Sequence, residues 1–415
     1  MSASSEARRR VGRASDVGRR CCPPRFRIRG FRVTVSNSAE SCSPHPFATP
    51  TTPENSPPEE GRPLPGSPAL VASGLQVRPW YAVLDLTAQT HARDFATSLR
   101  EGLSHRPRRL ECRFLYDAVG SKLFEAICEL PEYYLTRTED AILRHHAHAM
   151  PPPQSSRLLP GNRETLEIVE LGGGSSSKIQ TILRAVLDSG RSCLYIPIDV
   201  SPTALQAAVA DLARHLPRVV VNALAADYEV GLGWLKRHPT NHPRMIVFLG
   251  STLGNFEDDE AVSLLRAVRA ALKPGDAFLL GTDLAKPPEI VQPAYDDHQG
   301  LTERFIRNVL DHANRELDAG FRQEDFLYRV TYRPDRGRVE MALEARRALS
   351  IPLGRAASKP ISNMSLDAGE TVLVEISRKF TLDELMWLAR EAGFIEDAAW
   401  TDPKGWFRVQ RWRPS

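Results

Sequence analysis

From residue 165 to 283 the chain alternates between two hydrophobic rhythms. Short apolar runs containing β-branched residues occupy 166–171, 193–200, 219–228, 245–250 and 277–283, each the length of a buried strand. Between them apolar residues recur at helical spacing, from Ser175 onward, over 202–215 and over 259–272. Five strands separated by helical segments predict an α/β fold with a parallel, doubly wound, Rossmann-like sheet. Ahead of this core, helical spacing appears at 92–103 and 121–129, and Thr136 with Asp140 and Leu143 starts a third helix. Beyond it the alternation stops. Residues 286–379 hold a helix through 305–317 and strand-like runs at 326–333, 338–344 and 370–378, too much chain for an ordinary loop, so the block reads as a substrate-recognition insertion. A last helix at 382–392 and two short strands around Ala398 and Phe407 are expected to complete the sheet.

The candidate chemistry lies where the strands end, because ligands of such sheets sit outside the strands' carboxyl ends. The first strand runs into Gly172-Gly173-Gly174-Ser175-Ser176-Ser177-Lys178. Bare glycine backbone followed by serines that can cap a helix suits a nucleotide-like ligand at the helix's positive end. The spacing is neither G-x-x-x-x-G-K-[ST] nor G-x-G-x-x-G. An E-x-G-x-G loop after the first strand is instead the usual form of an S-adenosylmethionine (SAM) site. Asp199 closes the second strand, where an acid can accept both ribose hydroxyls. Asp227-Tyr228 closes the third, an acid for an adenine amine and a ring to cover the base. Capping a helix is the competing role for both acids. The fourth strand opens into Gly250-Ser251-Thr252-Leu253-Gly254-Asn255, small residues that let a substrate approach and an amide that can orient a carboxylate or amine.

Charge changes the picture only at the N-terminus. Residues 1–33 carry ten arginines against Glu6 and Asp16, leaving the remaining chain at −5 of the net +3, so the folded part offers no bulk electrostatic case for nucleic acid. Residues 1–75 are Arg-rich, then Pro- and Ser-rich, and read as a disordered tail, with order beginning near Val77. A transit peptide shares that composition, but Pro23-Pro24 interrupts any amphipathic helix. No apolar run approaches a membrane span. The six cysteines show no C-x-x-C pair, which fits a reduced, cytoplasmic setting. His145, His146 and His148 end the third helix with no acidic or Cys partner nearby, so no metal site is expected.

Five motifs in order carry a resemblance. Pro131-Glu132-Tyr133-Tyr134-x-Thr136-Arg137, Glu170-Leu171-Gly172-x-Gly174-x-Ser176-x-Lys178, Phe248-Leu249-Gly250-Ser251-Thr252-Leu253-Gly254-Asn255, Ala294-Tyr295-Asp296-Asp297 and Glu375-x-Ser377-x-Lys379-Phe380 together resemble the histidine-specific SAM-dependent methyltransferases, the L-histidine Nα-methyltransferases of ergothioneine biosynthesis. The likeness spans residues 84–413. It implies conversion of L-histidine to its Nα-trimethyl derivative, hercynine, in three successive transfers from SAM. With the tail read from composition at 1–75, the expected domains are a substrate-recognition domain from 76–137 and 286–379 and a SAM-dependent methyltransferase domain from 138–285 and 380–415. By the same likeness Gly172, Gly174, Lys178, Asp199, Asp227 and Tyr228 hold the cofactor. Asn255 and Tyr295 hold the substrate carboxylate, Tyr116 and Tyr133 stand near the amino and imidazole ends as the catalytic tyrosines, and Gly250 lines the pocket. Glu375 and Ser377 read the imidazole nitrogens with Met341 beside them. The family commonly carries Phe-Asn-x-Asn where this chain has Phe305-Ile306-Arg307-Asn308, a departure that bears on hydrogen bonding near the pocket.

The chemistry agrees with those roles. Methyl transfer from a sulfonium is an in-line displacement, so the protein has to place a neutral amine, exclude water and provide an exit for its proton. Ring faces of Tyr116 and Tyr133 can stabilise a quaternary ammonium product by about 0.5–2 kcal/mol. Three other readings compete. Another aromatic amino acid such as tryptophan could be the acceptor, though Glu375 with Ser377 opposes an indole. A nicotinamide oxidoreductase lacks its glycine fingerprint here. A non-catalytic SAM-binding module, linked to a sulfur-inserting oxygenase, would bind SAM without turnover.

Overall fold

The computed structural model describes residues 81–87, 95–154, 163–175, 177–352, 355–356, 359–360 and 363–415. The expected tail at 1–75, the onset near Val77, the start of the first helix at Ala92 and the capping role of Ser176 lie outside the described residues.

The chain opens with β1 (Tyr81–Asp85), α1 (Phe95–Ser104), β2 (Arg108–Arg109), α2 (Ala118–Cys128) and α3 (Tyr134–His146). The alternating core follows: β3 (Thr165–Leu171), α4 (Ser177–Asp188), β4 (Ser192–Asp199), α5 (Pro202–His215), β5 (Val220–Ala225), α6 (Tyr228–Arg237), β6 (Arg244–Phe248), α7 (Asp258–Ala270) and β7 (Ala277–Asp283). Then come α8 (Pro288–Val291), α9 (Leu301–Leu317), β8 (Phe326–Arg333) and β9 (Arg338–Ala345). Two short hairpins pair β10 (Leu349–Ile351) with β13 (Met364–Leu366), and β11 (Arg355–Ala356) with β12 (Lys359–Pro360). The chain closes with β14 (Thr371–Arg378), α10 (Leu382–Glu391), β15 (Phe394–Thr401) and β16 (Phe407–Pro414).

Eight strands form one sheet in the order β1-β5-β4-β3-β6-β7-β16-β15. All neighbours from β1 to β7 are parallel, while β16 runs antiparallel to both β7 and β15. Period-two alternation sends Leu166 and Ile168 of β3 to one face and Val169 and Leu171 to the other, each into its own apolar cluster. A sheet buried on both faces needs near-continuous apolar strands, which is what β3, β6 and β7 supply. From β3 the chain steps outward through β4 and β5, then returns to β6 on β3's other side. The strand order reverses between β3 and β6, the point at which ligands of such sheets sit, outside the carboxyl ends of the strands.

A second sheet, β2-β14-β9-β8, is built from the residues after β7 and one short strand from before the core. The structure differs from the sequence reading in three places. It adds β1 at the sheet edge beside β5. It ends β5 at Ala225 and starts α6 at Tyr228, where a strand was expected to continue. It makes the last two strands full-length, at eight residues each. Among the described residues no helix is long and apolar enough to cross a membrane.

Candidate functional site

The glycine loop leaves β3 with Gly172 in the left-handed region, φ 81°. A Cβ at Gly174 would lie 2.9 Å from Asp199 Oδ2, and one at Gly173 would meet Pro197 Cβ at 2.5 Å, so the loop passes β4 as bare backbone. Asp199 accepts from the Ser201 N–H at 2.9 Å, and burial raises its carboxyl above the ordinary value. Asp227 caps α6 by accepting from the Val230 N–H at 2.8 Å. One capping bond leaves a carboxylate with acceptor positions to spare, so capping and ligand contact are compatible. Tyr228 turns its hydroxyl toward Gly172, packs edge-on to Phe248 at 5.5 Å, and is pushed above its ordinary value by burial and then by Asp199. Bare amides, half-buried carboxylates and an aromatic ring at the ends of β3, β4 and β5 fit the ribose, base and amino-acid parts of SAM.

Lys178 is already paired. Its Nζ sits 2.6 Å from Glu139 Oε2, and both Glu139 oxygens accept from the Gly250 N–H, at 2.8 and 3.0 Å. Glu139 is fully buried, so α3, the start of α4 and the loop after β6 are joined through one carboxylate.

A second wall comes from β14 and the loop after β6. Gly250 and Ser251 have φ 77° and 58°, turning the chain into a one-turn helix over Thr252–Asn255. Gly254 lies so close to β14 that a Cβ would sit 3.1 Å from both the N and O of Arg378. That approach lets Asn255 Nδ2 donate to Glu375 Oε1 at 3.2 Å. Burial raises the Glu375 carboxyl to about 8, with Lys379 pulling the other way. Met341, fully buried, is the register partner of Glu375 on β9.

Glu375, Ser377 and Lys379 follow one another at two-residue steps, which puts them on one side of the strand. Ser377 Oγ lies 2.8 Å from Tyr295 Oη. The buried Lys379 ammonium donates to both hydroxyls, at 2.7 and 2.8 Å, and pairs with Asp283 Oδ2 at 3.1 Å. Asp283 is held further by Lys286 at 2.5 Å, by the Tyr134 hydroxyl at 2.7 Å, and by its own N–H on Ser251 Oγ at 2.9 Å.

Aromatic rings close the space. Tyr116 is edge-on to Phe305 (5.3 Å) and Phe124 (5.5 Å), Phe124 to Tyr133 (6.2 Å), and Tyr133 to Tyr295 (6.1 Å). Burial pushes Tyr116, Tyr133 and Tyr295 well above the ordinary phenol value, and Glu375 adds to each, so all three keep their protons.

The motifs explain these placements locally. Arg137 donates to the carbonyls of Leu130 (3.1 Å), Tyr133 (3.2 Å) and Pro131, fixing the turn that presents Tyr133. Asp297 caps α9 through the N–H groups of Leu301 and Thr302, both 2.8 Å, directly after Tyr295. Asp117 caps α2 and accepts from Asn308 at 2.7 Å, tying Tyr116 to α9. In the departing Phe305-Ile306-Arg307-Asn308 stretch, Ile306 is fully buried among apolar side chains, and Arg307 donates to the carbonyls of Gln323 and Phe326.

Thus the structure brings Tyr116, Tyr133, Tyr295, Asn255, Glu375, Ser377 and Met341 to one wall, and Gly172, Gly174, Asp199, Asp227 and Tyr228 to the carboxyl ends of β3, β4 and β5. Sequence reasoning missed Glu139, Asp283 and Lys286. Asp283 ends β7 and was reachable by the strand-end rule, whereas Glu139 lies mid-helix with no local signal.

A doubly wound sheet whose glycine loop meets the strand-end carboxylate of Asp199, with Tyr228 beside it, is the arrangement of SAM-dependent methyltransferases. A model of the family "Histidine-specific methyltransferase, SAM-dependent" matches residues 95–414, and the chain belongs to that family. It is 38% identical to the histidine N-alpha-methyltransferase of Mycolicibacterium smegmatis, covering 79% of this chain and 96% of that protein. With the histidine N-alpha-methyltransferase of Mycobacterium tuberculosis it shares 36% identity over 74% of this chain and 90% of the other. Ergothioneine biosynthesis protein 1 of Neurospora crassa is 30% identical over 71% of this chain and 32% of its own length.

Proposed function

We propose that this protein methylates the α-amino group of L-histidine three times, giving hercynine for ergothioneine biosynthesis. The observation that carries the reading is the polar set on β14: a buried carboxylate, Glu375, held by Asn255, beside a hydroxyl pair, Ser377 and Tyr295, anchored on Lys379. Buried groups of this kind reject a ligand that cannot pair with them, which suits an imidazole and opposes an indole.

Gly172, Gly174, Asp199, Asp227 and Tyr228 would hold SAM. When bound, SAM supplies an electrophilic methyl group on its sulfonium. The chain's own residues then place the acceptor amine, exclude water and pass its proton outward. Tyr116 and Tyr133 remain protonated, so they orient the amine through neutral hydroxyls and meet the quaternary product with ring faces. The second sheet with its helices serves as the substrate-recognition part, and the eight-stranded sheet as the cofactor part. The same reading carries a cytoplasmic setting and a link to a sulfur-inserting oxygenase that consumes the product.

Calorimetry with S-adenosylhomocysteine present tests this directly. L-histidine binds, histamine and tryptophan do not, and Glu375→Ala abolishes histidine binding while sparing S-adenosylhomocysteine. Equal binding of tryptophan, or histidine affinity unchanged in the variant, would contradict it.

A further inference from the structure

Lys379 donates to both hydroxyls of the proposed recognition set, Tyr295 and Ser377, and its hydrogen bonds decide which way those hydroxyls can point. Its Nζ has three acceptors, Tyr295 Oη, Ser377 Oγ and Asp283 Oδ2, at 2.8, 2.7 and 3.1 Å. Three acceptors use all three N–H groups of an ammonium, so each hydroxyl oxygen accepts from Lys379. Tyr295 and Ser377 have two O–H protons between them, and one lies in their mutual 2.8 Å contact. Either oxygen can supply that shared proton; a phenol is the stronger acid of the two, and with the proton taken from Tyr295 the Ser377 O–H is left to donate elsewhere. Two residues away on the same side of the strand stands Glu375, an acceptor once ionised.

We propose that Lys379 is a positioning residue that fixes Ser377 as a hydrogen-bond donor, so that the pocket offers one donor and one acceptor and selects the neutral imidazole ring. This rests on the proposed histidine specificity. A neutral imidazole has one N–H for Glu375 and one bare nitrogen for Ser377. An imidazolium has no bare nitrogen, an indole has only an N–H, and each leaves Ser377 without a partner. Asp283 with Lys286 and Tyr134 keeps the Lys379 ammonium in place, which ties the end of β7 to ligand recognition on β14. Lys379 is also the cation that acts on Glu375 to favour its ionised form.

Two histidine analogues separate the terms. Replacing the imidazole by pyrrole keeps the N–H and removes the acceptor; replacing it by 4-thiazolyl keeps an acceptor and removes the N–H. Dissociation constants are measured on the full chain with S-adenosylhomocysteine at about pH 8, where histidine's ring is neutral. Wild type should prefer histidine over the pyrrole analogue by about tenfold, one ligand hydrogen bond. Lys379→Met should reduce that preference to about twofold or less, as should Ser377→Ala, and the double variant should go no further. S-adenosylhomocysteine affinity, unchanged, shows that the variant is folded. A Lys379→Met protein that keeps the full preference overturns the proposal. So does a wild type with no preference, which needs no variant at all. If wild type binds neither histidine nor the analogues, the functional reading itself falls, a result distinct from either.

Discussion

Replacing Glu375 by Gln should move stability and function in opposite directions, and pH separates the two. The carboxyl is raised from 4.5 to about 8 by burial. A carboxyl whose folded value is raised contributes its full stability below its unfolded value and loses it as pH climbs through the folded one. For Glu375 that loss amounts to about 5 kcal/mol between about pH 4 and pH 9, an upper bound because relaxation and water penetration soften the burial of a charge. Gln keeps an oxygen for Asn255 at the same place and has no charge to desolvate. The unliganded variant should therefore match wild type near pH 4 and become more stable than it as pH rises toward 9. Glu170, also raised to about 8 by burial, titrates in both proteins and cancels in the difference. Histidine binding runs the other way. Wild type must ionise Glu375 to accept the ring N–H, so its affinity should rise up to tenfold per pH unit between about pH 6.5 and 8, while the variant's stays weak and loses that pH dependence. The assay is denaturant unfolding of both proteins across pH, paired with calorimetry of histidine. Parallel stability curves would refute the argument that burial of this carboxyl costs the empty protein free energy.

Other outcomes follow from the same geometry. Gly174→Val should weaken SAM binding at least tenfold in equilibrium dialysis, because even a Cβ comes within 2.9 Å of Asp199 Oδ2. Glu139→Ala should cost about 3 kcal/mol in denaturant unfolding, since it strands the Lys178 ammonium and the Gly250 N–H together. Asn255→Ala should raise the KM for histidine about tenfold with little change in SAM affinity, read from steady-state rates.

Much of the sheet was legible because each core strand is a short apolar run bounded by turn residues, and β7 begins and ends where the pattern says. Helix α6 was hidden. Gly231 and Gly233 weaken its helical pattern, and Gly231 is there because a Cβ would strike Ile198 Cγ2 at 2.7 Å. Packing against β4 therefore overrode propensity, and apart from Tyr228, read as the end of a strand, the segment carried no expected element. Strand β1 was missed because five residues at a sheet edge, partly exposed, carry little periodicity. Of the site, the loops announced themselves through glycines and through acids at strand ends. The supporting layer of Glu139, Asp283 and Lys286 did not, because the contacts Lys178–Glu139, Tyr134–Asp283 and Tyr134–Lys286 join residues 39, 149 and 152 positions apart. Lys379 sat in plain view in the Glu375-x-Ser377-x-Lys379 repeat, but only coordinates show that its ammonium reaches Tyr295.

The most direct test of the account is to incubate the purified protein with L-histidine and SAM carrying a 13C methyl group, and to follow the product by mass spectrometry and NMR. The account predicts three successive methyl increments, all three labels equivalent on the α-nitrogen and none on the ring. A label on a ring nitrogen, or growth on tryptophan in place of histidine, would contradict it.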